Sequence, residues 1–473
     1  MIVPLYDALK KYIDDGILPF HMPGHKGGRI ISREYLKNIA MIDLTELPGT
    51  DNLHNPEGPI LEAEKLAAKA FGAKESFFLV NGTTSGIYAA MAATLKKGDK
   101  VLIQRNSHKS IYSGLILTGA YPVYLSPMID FDYEIAMGVL PEDVEKALKK
   151  DKDIKVVIIT YPNYYGFCPD ISRISEIVHR YNRILVVDEA HGAHFAFSDK
   201  LPITSLEAGA DIAVQSIHKT LPAFTQSSIL HVGSDRIDID RLKFSLRLFQ
   251  TTSPSYILMS SIDMARAYME EKGNKRLDSV IDLCNYIRDE INNIEGIKCH
   301  GKDIIGRYGI KDLDVTKLAI NVSGLRLTGL EAEKILRDKF KIQMEMADLY
   351  NILAIITVAD GEEEINILLK AIRSLRNYKG ETDIIKIDDF CDCPEIVIMP
   401  AEVFQFRKNM VSLDNAEGKI SGDFIIPYPP GIPIICPGER IKKGMVKYIS
   451  LLYNKGIRII GVKDFKIKVC ENV

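Results

Sequence analysis

Between residues 60 and 300 the chain repeats one pattern, a short apolar run followed by a longer amphipathic stretch. The apolar runs fall at 76–80, 100–104, 123–125, 156–160, 184–187, 212–215 and 228–232. Most are apolar throughout rather than alternating, as strands buried on both faces are. Residues 60–70, 141–149 (with Pro141 near the first turn) and 172–181 carry helical periodicity. This alternation predicts an α/β fold, a mainly parallel sheet with helices on both faces. Helical patterns over 261–294 carry the chain out of that lobe. Residues 300–380 then mix strands (318–322, 353–358) with helices (328–341, 362–377), as a smaller α+β lobe does. The expected organisation is an N-terminal arm over 1–60, a large domain over 61–300, a small α+β domain over 301–380 and a C-terminal segment over 381–473. The charged run 379–389 reads as a linker, and there is no internal repeat or low-complexity tract.

Length agrees with several lobes, because 473 residues exceed the roughly 250–300 that one core supports. A formal charge of −3 gives no basic footprint for nucleic acid or an anionic membrane. No uncharged apolar run approaches a membrane span, and the opening Met1-Ile-Val-Pro4-Leu-Tyr-Asp-Ala lacks the apolar core of a signal peptide. The seven cysteines are odd in number and scattered, which favours reduced thiols and a cytoplasmic location. Cys391-Asp-Cys393 is the one close pair; it has no second pair or His-x-His partner, so no metal site is expected.

The candidate chemistry gathers at strand ends. The run at 212–215 ends in Ser216-Ile-His218-Lys219-Thr220, and the run at 184–187 delivers Asp188-Glu-Ala190-His191. Open α/β sheets bind ligands at such ends. Lys219 there is either a solvated strand-end charge or an amine placed to condense with an aldehyde cofactor. After the run at 76–80, Asn81-Gly82-Thr83-Thr84-Ser85-Gly86 opens a helix; its hydroxyls and free amides suit an anion, and such residues also cap helices locally. Joined by Ser216 and His218, the cup favours a phosphate. His108, beyond the run at 100–104, either lies on a flat ring or caps the next helix. Asp188 suits a pyridine nitrogen, which it would keep protonated. Ala190 leaves flat space beneath a ring, and His191 could bond its phenolic oxygen. Two loops rich in Gly, Pro and His, at 20–28 and 43–59, read as site-lining or as plain surface connections.

The order of these parts resembles the fold-type-I pyridoxal-phosphate enzymes, with their aminotransferase-like large domain. More specifically, Phe20-His-Met-Pro-Gly-His-Lys-Gly27, Asp51-Asn-Leu-His-Asn-Pro-Glu-Gly-Pro59, Ser216-Ile-His-Lys-Thr-Leu-Pro-Ala223, Gln250-Thr-Thr-Ser-Pro-Ser255 and Pro427-Tyr-Pro-Pro-Gly-Ile-Pro433 followed by Pro437-Gly438-Glu439 resemble the Orn/Lys/Arg decarboxylase family. The likeness runs nearly end to end and is to the short form, without an N-terminal wing domain. It implies pyridoxal 5'-phosphate as cofactor, held by Lys219 as Schiff-base lysine. It further implies Asp188 at the pyridine nitrogen, His108 stacked on the ring, and Thr84, Ser85, Ser216 and His218 on the phosphate, with Thr83 beside them. Thr252 and Ser253 would reach the cofactor of a partner subunit in a homodimer or larger homo-oligomer.

The implied reaction is decarboxylation of arginine, lysine or ornithine to agmatine, cadaverine or putrescine, with a weak preference for arginine from the short-form likeness. Lys219 or a site histidine would protonate the α-carbon. A distal substrate cation needs acids, and Glu46, Asp51, Asp423 and Glu439 are the candidates. Asn52 replaces the family's usual second acid, and Asp423 stands where a glutamate is common, so both bear on substrate choice. Two other readings share the cofactor parts: a different pyridoxal-phosphate reaction such as transamination or acyl-CoA condensation, and a non-catalytic binding protein.

Overall fold

The computed structural model describes residues 3–378, 380, 394–428 and 431–471. The stretch 379–389 read as a linker, save Gly380, lies outside the described residues, as do Cys391, Cys393, Pro429 and Pro430.

Seven strands form the central sheet: β1 (Glu75–Leu79), β2 (Lys100–Gln104), β3 (Tyr121–Leu125), β4 (Ile154–Thr160), β5 (Ile184–Asp188), β6 (Ile212–Gln215) and β7 (Ser228–Val232). They are ordered β1-β7-β6-β5-β4-β2-β3. Only β7 is antiparallel to its neighbours β6 and β1. All seven correspond to the apolar runs of the sequence, and the fold is the expected mainly parallel α/β sheet. Side chains alternate between two cores. Phe78, Leu102, Val157, Leu185 and Ala213 face one, and Phe77, Leu79, Val101, Val156, Val186 and Val214 face the other. This two-sided burial explains the continuous apolar runs, each such side chain contributing roughly 1.5–3 kcal/mol.

A four-stranded antiparallel sheet, Lys298–Cys299, Lys317–Asn321, Asn351–Ile355 and Met346–Ala347, forms the second lobe with the helices Asn274–Asn292, Gly329–Phe340 and Glu362–Ser374. The N-terminal segment joins it: Leu18–Phe20 pairs in parallel with Ile342–Met344. The last part of the chain builds its own small core, with Leu413, Ile425, Ile435, Ile449 and Ile467 between the helix Lys443–Asn454 and an antiparallel sheet. Among the described residues no helix is long and apolar enough to cross a membrane.

Candidate active site

The C-terminal ends of β5 and β6 lie side by side, with Val214 opposite Asp188 in parallel register. Just past β6 the chain makes one helical turn, Ile217–Thr220, that carries Lys219. Its Nζ lies 3.0 Å from Nε2 of His191, which follows β5. Burial lowers the Lys219 amine from its ordinary range, with Asp188 and Glu345 pulling the other way. Burial also pushes the Asp188 carboxyl up, opposed by the Lys219 charge. His191 is held well below the usual imidazole range by burial and by Lys219 and Lys317, so its ring is neutral at pH 7.

The sequence loop 20–28 sits directly on this turn. Gly24 N donates to His218 O at 2.7 Å, and a Cβ on Gly24 would come within 2.6 Å of Leu221 O. Only glycine permits that approach. The loop is thus a wall of the site rather than a plain surface connection. Lys26 anchors it through bonds to His21 O and Ile355 O, both at 2.8 Å.

The helix Gly82–Thr94 begins without a side-chain cap, leaving its first amides open. Thr83 Oγ1 meets Ser216 Oγ at 2.5 Å and Ser228 Oγ at 3.0 Å, so the β1 and β6 ends converge. Ser85 Oγ donates back to Gly82 O, and Thr84 lies beside it, half-buried. A Cβ on Gly86 would fall 2.5 Å from Leu79 and 2.6 Å from Val214, so glycine lets this helix settle onto the sheet. His218 donates Nδ1–H to Ser227 O at 2.8 Å, and burial pushes its pKa down to about 4.

His108 caps the helix Lys109–Thr118, its Nδ1 accepting from Ser110 N. The cap and the ring-facing role are therefore compatible, because capping fixes the ring's orientation. Its pKa falls to about 4 through burial, then Lys219 and Lys109. Gly431 reaches this ring: its O accepts from Lys109 N, and a Cβ on it would lie 3.7 Å from the His108 ring. Thr252 and Ser253 are exposed on this chain, in a loop tied to Asn81 through Thr251 N.

The four acids named for a distal cation are engaged otherwise. Glu46 is half-buried and accepts from Thr45. Asp51 takes five backbone N–H groups, from Asn52, Glu57, Gly58, Ile60 and Leu61, and such bonds outweigh partial burial and hold its carboxyl low. Asp423 pairs with Lys468 at 2.9 Å. Glu439 is fully buried and accepts from Arg105, Tyr124 OH and Cys436 N.

Sequence reasoning missed three side chains here. Tyr164 packs its ring 4.6 Å from that of His191 and bonds Glu345, whose other oxygen accepts from Met22 N. Lys317 lies 3.4 Å from His191 Nδ1. Tyr164 stands in the turn after β4, a strand end like the others, so its placement was legible; Glu345 and Lys317 arrive from the second lobe and were not.

A pyridoxal phosphate fits these residues. Asp188 is 3% exposed, yet the one hydrogen bond its carboxylate accepts among the described residues is a 3.3 Å contact from Ala190 N. A buried carboxylate so thinly partnered suits a cationic ring nitrogen. Ser107 Oγ, Thr160 Oγ1 and Thr220 Oγ1 are buried without partners. They adjoin His108, face Asp188 in register and follow Lys219 respectively, which marks a polar ligand's surroundings. Among the described residues no group of three or more His, Cys, Asp or Glu could hold a metal ion.

Comparison with known proteins agrees with this geometry. Residues 3–364 match the model of the Orn/Lys/Arg decarboxylase major domain, and 386–462 that of its C-terminal domain. The chain is 38% identical over 468 residues to arginine decarboxylase of Bacillus subtilis, covering 98% of this chain and 96% of that one. Lysine decarboxylase LdcA of Pseudomonas aeruginosa is 24% identical, over 96% of this chain and 76% of its own length. In fold, the lysine decarboxylase LdcF of Francisella novicida superposes with a TM-score of 0.78 at 22% identity, over 95% of this chain and 78% of that one. The chain belongs to the Orn/Lys/Arg decarboxylase family and is a decarboxylase.

Proposed function

We propose that this enzyme decarboxylates arginine to agmatine, using pyridoxal 5'-phosphate held at Lys219. The observation that carries the chemistry is the half-buried Lys219 amine 3.0 Å from a neutral His191, with Asp188 at the adjoining strand end. Four relatives named arginine decarboxylase, at 36–38% identity across nearly the whole chain, support arginine over lysine and ornithine. Those named for lysine or ornithine are 24–25% identical.

When bound, pyridoxal phosphate supplies a conjugated sink for the electron pair released at the substrate's α-carbon. The chain's residues do the rest. Asp188 holds a proton at the pyridine nitrogen by charge pairing. Thr83, Thr84, Ser85, Ser216 and His218, with the open amides of the helix start, receive the phosphate. His108 and Ala190 would hold the ring between them. Lys219 Nζ or His191 Nε2 returns a proton to the α-carbon, and the 20–28 loop limits water around them. Thr252 and Ser253, exposed here, reach the cofactor of a partner subunit in a cytoplasmic homodimer or larger assembly.

The test measures carbon dioxide release from arginine, lysine and ornithine side by side, with the wild type and Lys219→Ala. Arginine is expected to be turned over fastest, and the variant to release none. Faster turnover of lysine or ornithine would overturn the substrate, and retained turnover in the variant would overturn the role of Lys219.

A further inference from the structure

Lys317 is 1% exposed, and its amine is not needed by any step described above. It starts the strand Lys317–Asn321 of the second lobe and crosses to the large lobe, ending 3.4 Å from His191 Nδ1. The approach is built. Gly166, at φ +94, passes so close that a Cβ there would lie 2.9 Å from the Lys317 stem. Arg288 donates to Lys317 O at 3.1 Å and fixes the strand start.

His191 therefore has an amine at each nitrogen, Lys219 at Nε2 and Lys317 at Nδ1. A neutral imidazole offers one lone pair and one N–H. Two ammonium groups cannot both donate to it. If Lys317 donates to Nδ1, the N–H sits on Nε2 and points at Lys219, which must accept with an uncharged nitrogen. The groups facing these amines favour that assignment. Burial pushes Lys317 down to about 8, Asp314 and Glu345 hold it up against Lys219 and Lys26, and Asp314 stays ionised beside His194 and Thr316, so Lys317 carries its charge below that pH. Lys219 has Asp188 and Glu345, but Asp188 would be taken by the pyridine nitrogen.

We propose that Lys317 is a positioning residue: its ammonium donates to His191 Nδ1, fixes the Nε2–H form and keeps the Lys219 nitrogen uncharged and ready to attack an aldehyde. The inference rests on Lys219 being the cofactor-linking amine, though its test needs no cofactor. Two amines on opposite nitrogens of one ring lie roughly 8 Å apart; at an effective dielectric near 20, removing a full charge shifts the other amine by about 1.5 pH units.

Full-length protein stripped of cofactor is labelled with trace acetic anhydride from pH 6 to 11. Labelling of Lys219 is followed by peptide mass spectrometry, with the exposed Lys65 as internal standard. The Lys219 midpoint is expected to rise by up to about 1.5 units in Lys317→Met. In Lys317→Arg, whose charge persists across the range, it should stay at or below the wild-type value. An unchanged midpoint in Lys317→Met, or an equal rise in both variants, overturns the proposal. Should Lys317→Met fail to fold, an Arg midpoint above wild type overturns it alone. Borohydride trapping of pyridoxal phosphate at Lys219 in the wild type tests the cofactor reading separately, and its failure leaves the midpoint comparison standing.

Discussion

Glu439 can be read in two ways, as an acid waiting for a substrate cation or as a clamp, and substitution separates them. Its Oε2 accepts from Arg105 Nη2 at 3.0 Å and Cys436 N at 2.7 Å, and its Oε1 from Tyr124 OH at 2.7 Å. Arg105, itself fixed past β2, also donates to Pro433 O and Ile434 O. The pair thus pins residues 433–439 onto the strand end beside His108. Glu439→Ala strands a buried guanidinium, which costs about 3–5 kcal/mol. Glu439→Gln keeps an oxygen for Arg105 and Cys436 and can turn its amide toward the tyrosine oxygen, so it loses chiefly the charge, about 1.5–3 kcal/mol. Hydrogen exchange at the Cys436 amide reads this locally, which suits a chain with several cores. At about 1.4 kcal/mol per decade, exchange limited by this opening should quicken roughly 10- to 100-fold in Gln and 100-fold or more in Ala. KM for the basic substrate is expected to move no more than kcat does. Wild-type protection with a selective rise in KM of tenfold or more would refute the clamp and return Glu439 to the substrate.

Three further outcomes follow from the same geometry. Asp188→Asn keeps the shape but loses the charge at the ring nitrogen; kcat should drop by about 100- to 1,000-fold while borohydride still traps the cofactor at Lys219, and near-normal turnover would contradict the pairing. Gly24→Ala places a Cβ 2.6 Å from the Leu221 carbonyl, so overpacking of about 1–3 kcal/mol should displace the loop, lower the melting temperature and reduce kcat; an unchanged melting temperature and rate would count against that close contact. Burial pushes Lys26 down to about 8, against about 10.4 for an unfolded lysine. In that window the unfolded chain binds the extra proton, so this group's contribution to stability rises with pH from about 8 to 10.4 and is flat below. Urea titrations at pH 7.5 and 10.5 should show wild type gaining on the order of 3 kcal/mol relative to Lys26→Met, and a parallel pH response would argue against a charged buried amine.

Legibility in the sequence followed the range over which each signal acts. The seven strands were readable because two-sided burial writes itself as contiguous apolar residues, and strands 100–104, 212–215 and 228–232 were bounded to the residue. The third strand begins two residues earlier than expected, at Tyr121, because an edge strand with an exposed first residue carries no apolar mark there. The side chains drawn together at Lys219 and Asp188 were equally legible, since chemistry at the ends of neighbouring parallel strands is set by local sequence plus one rule of sheet topology. What failed to show was contact between lobes. Lys317 and Glu345 lie 126 and 181 residues from the side chains they meet, and nothing local distinguishes a buried lysine that starts a strand from a solvated one. Glu439 is the reverse case. Its motif was noticed and its burial was not, because a charge becomes a clamp only through Arg105, brought to it from 334 positions away. Sequence thus names the groups proposed to hold the cofactor, whereas the groups proposed to tune them come from whichever lobe folds back over the sheet. That difference makes Lys317, rather than any residue of the strand-end motifs, the position where this enzyme's own adjustments are open to measurement.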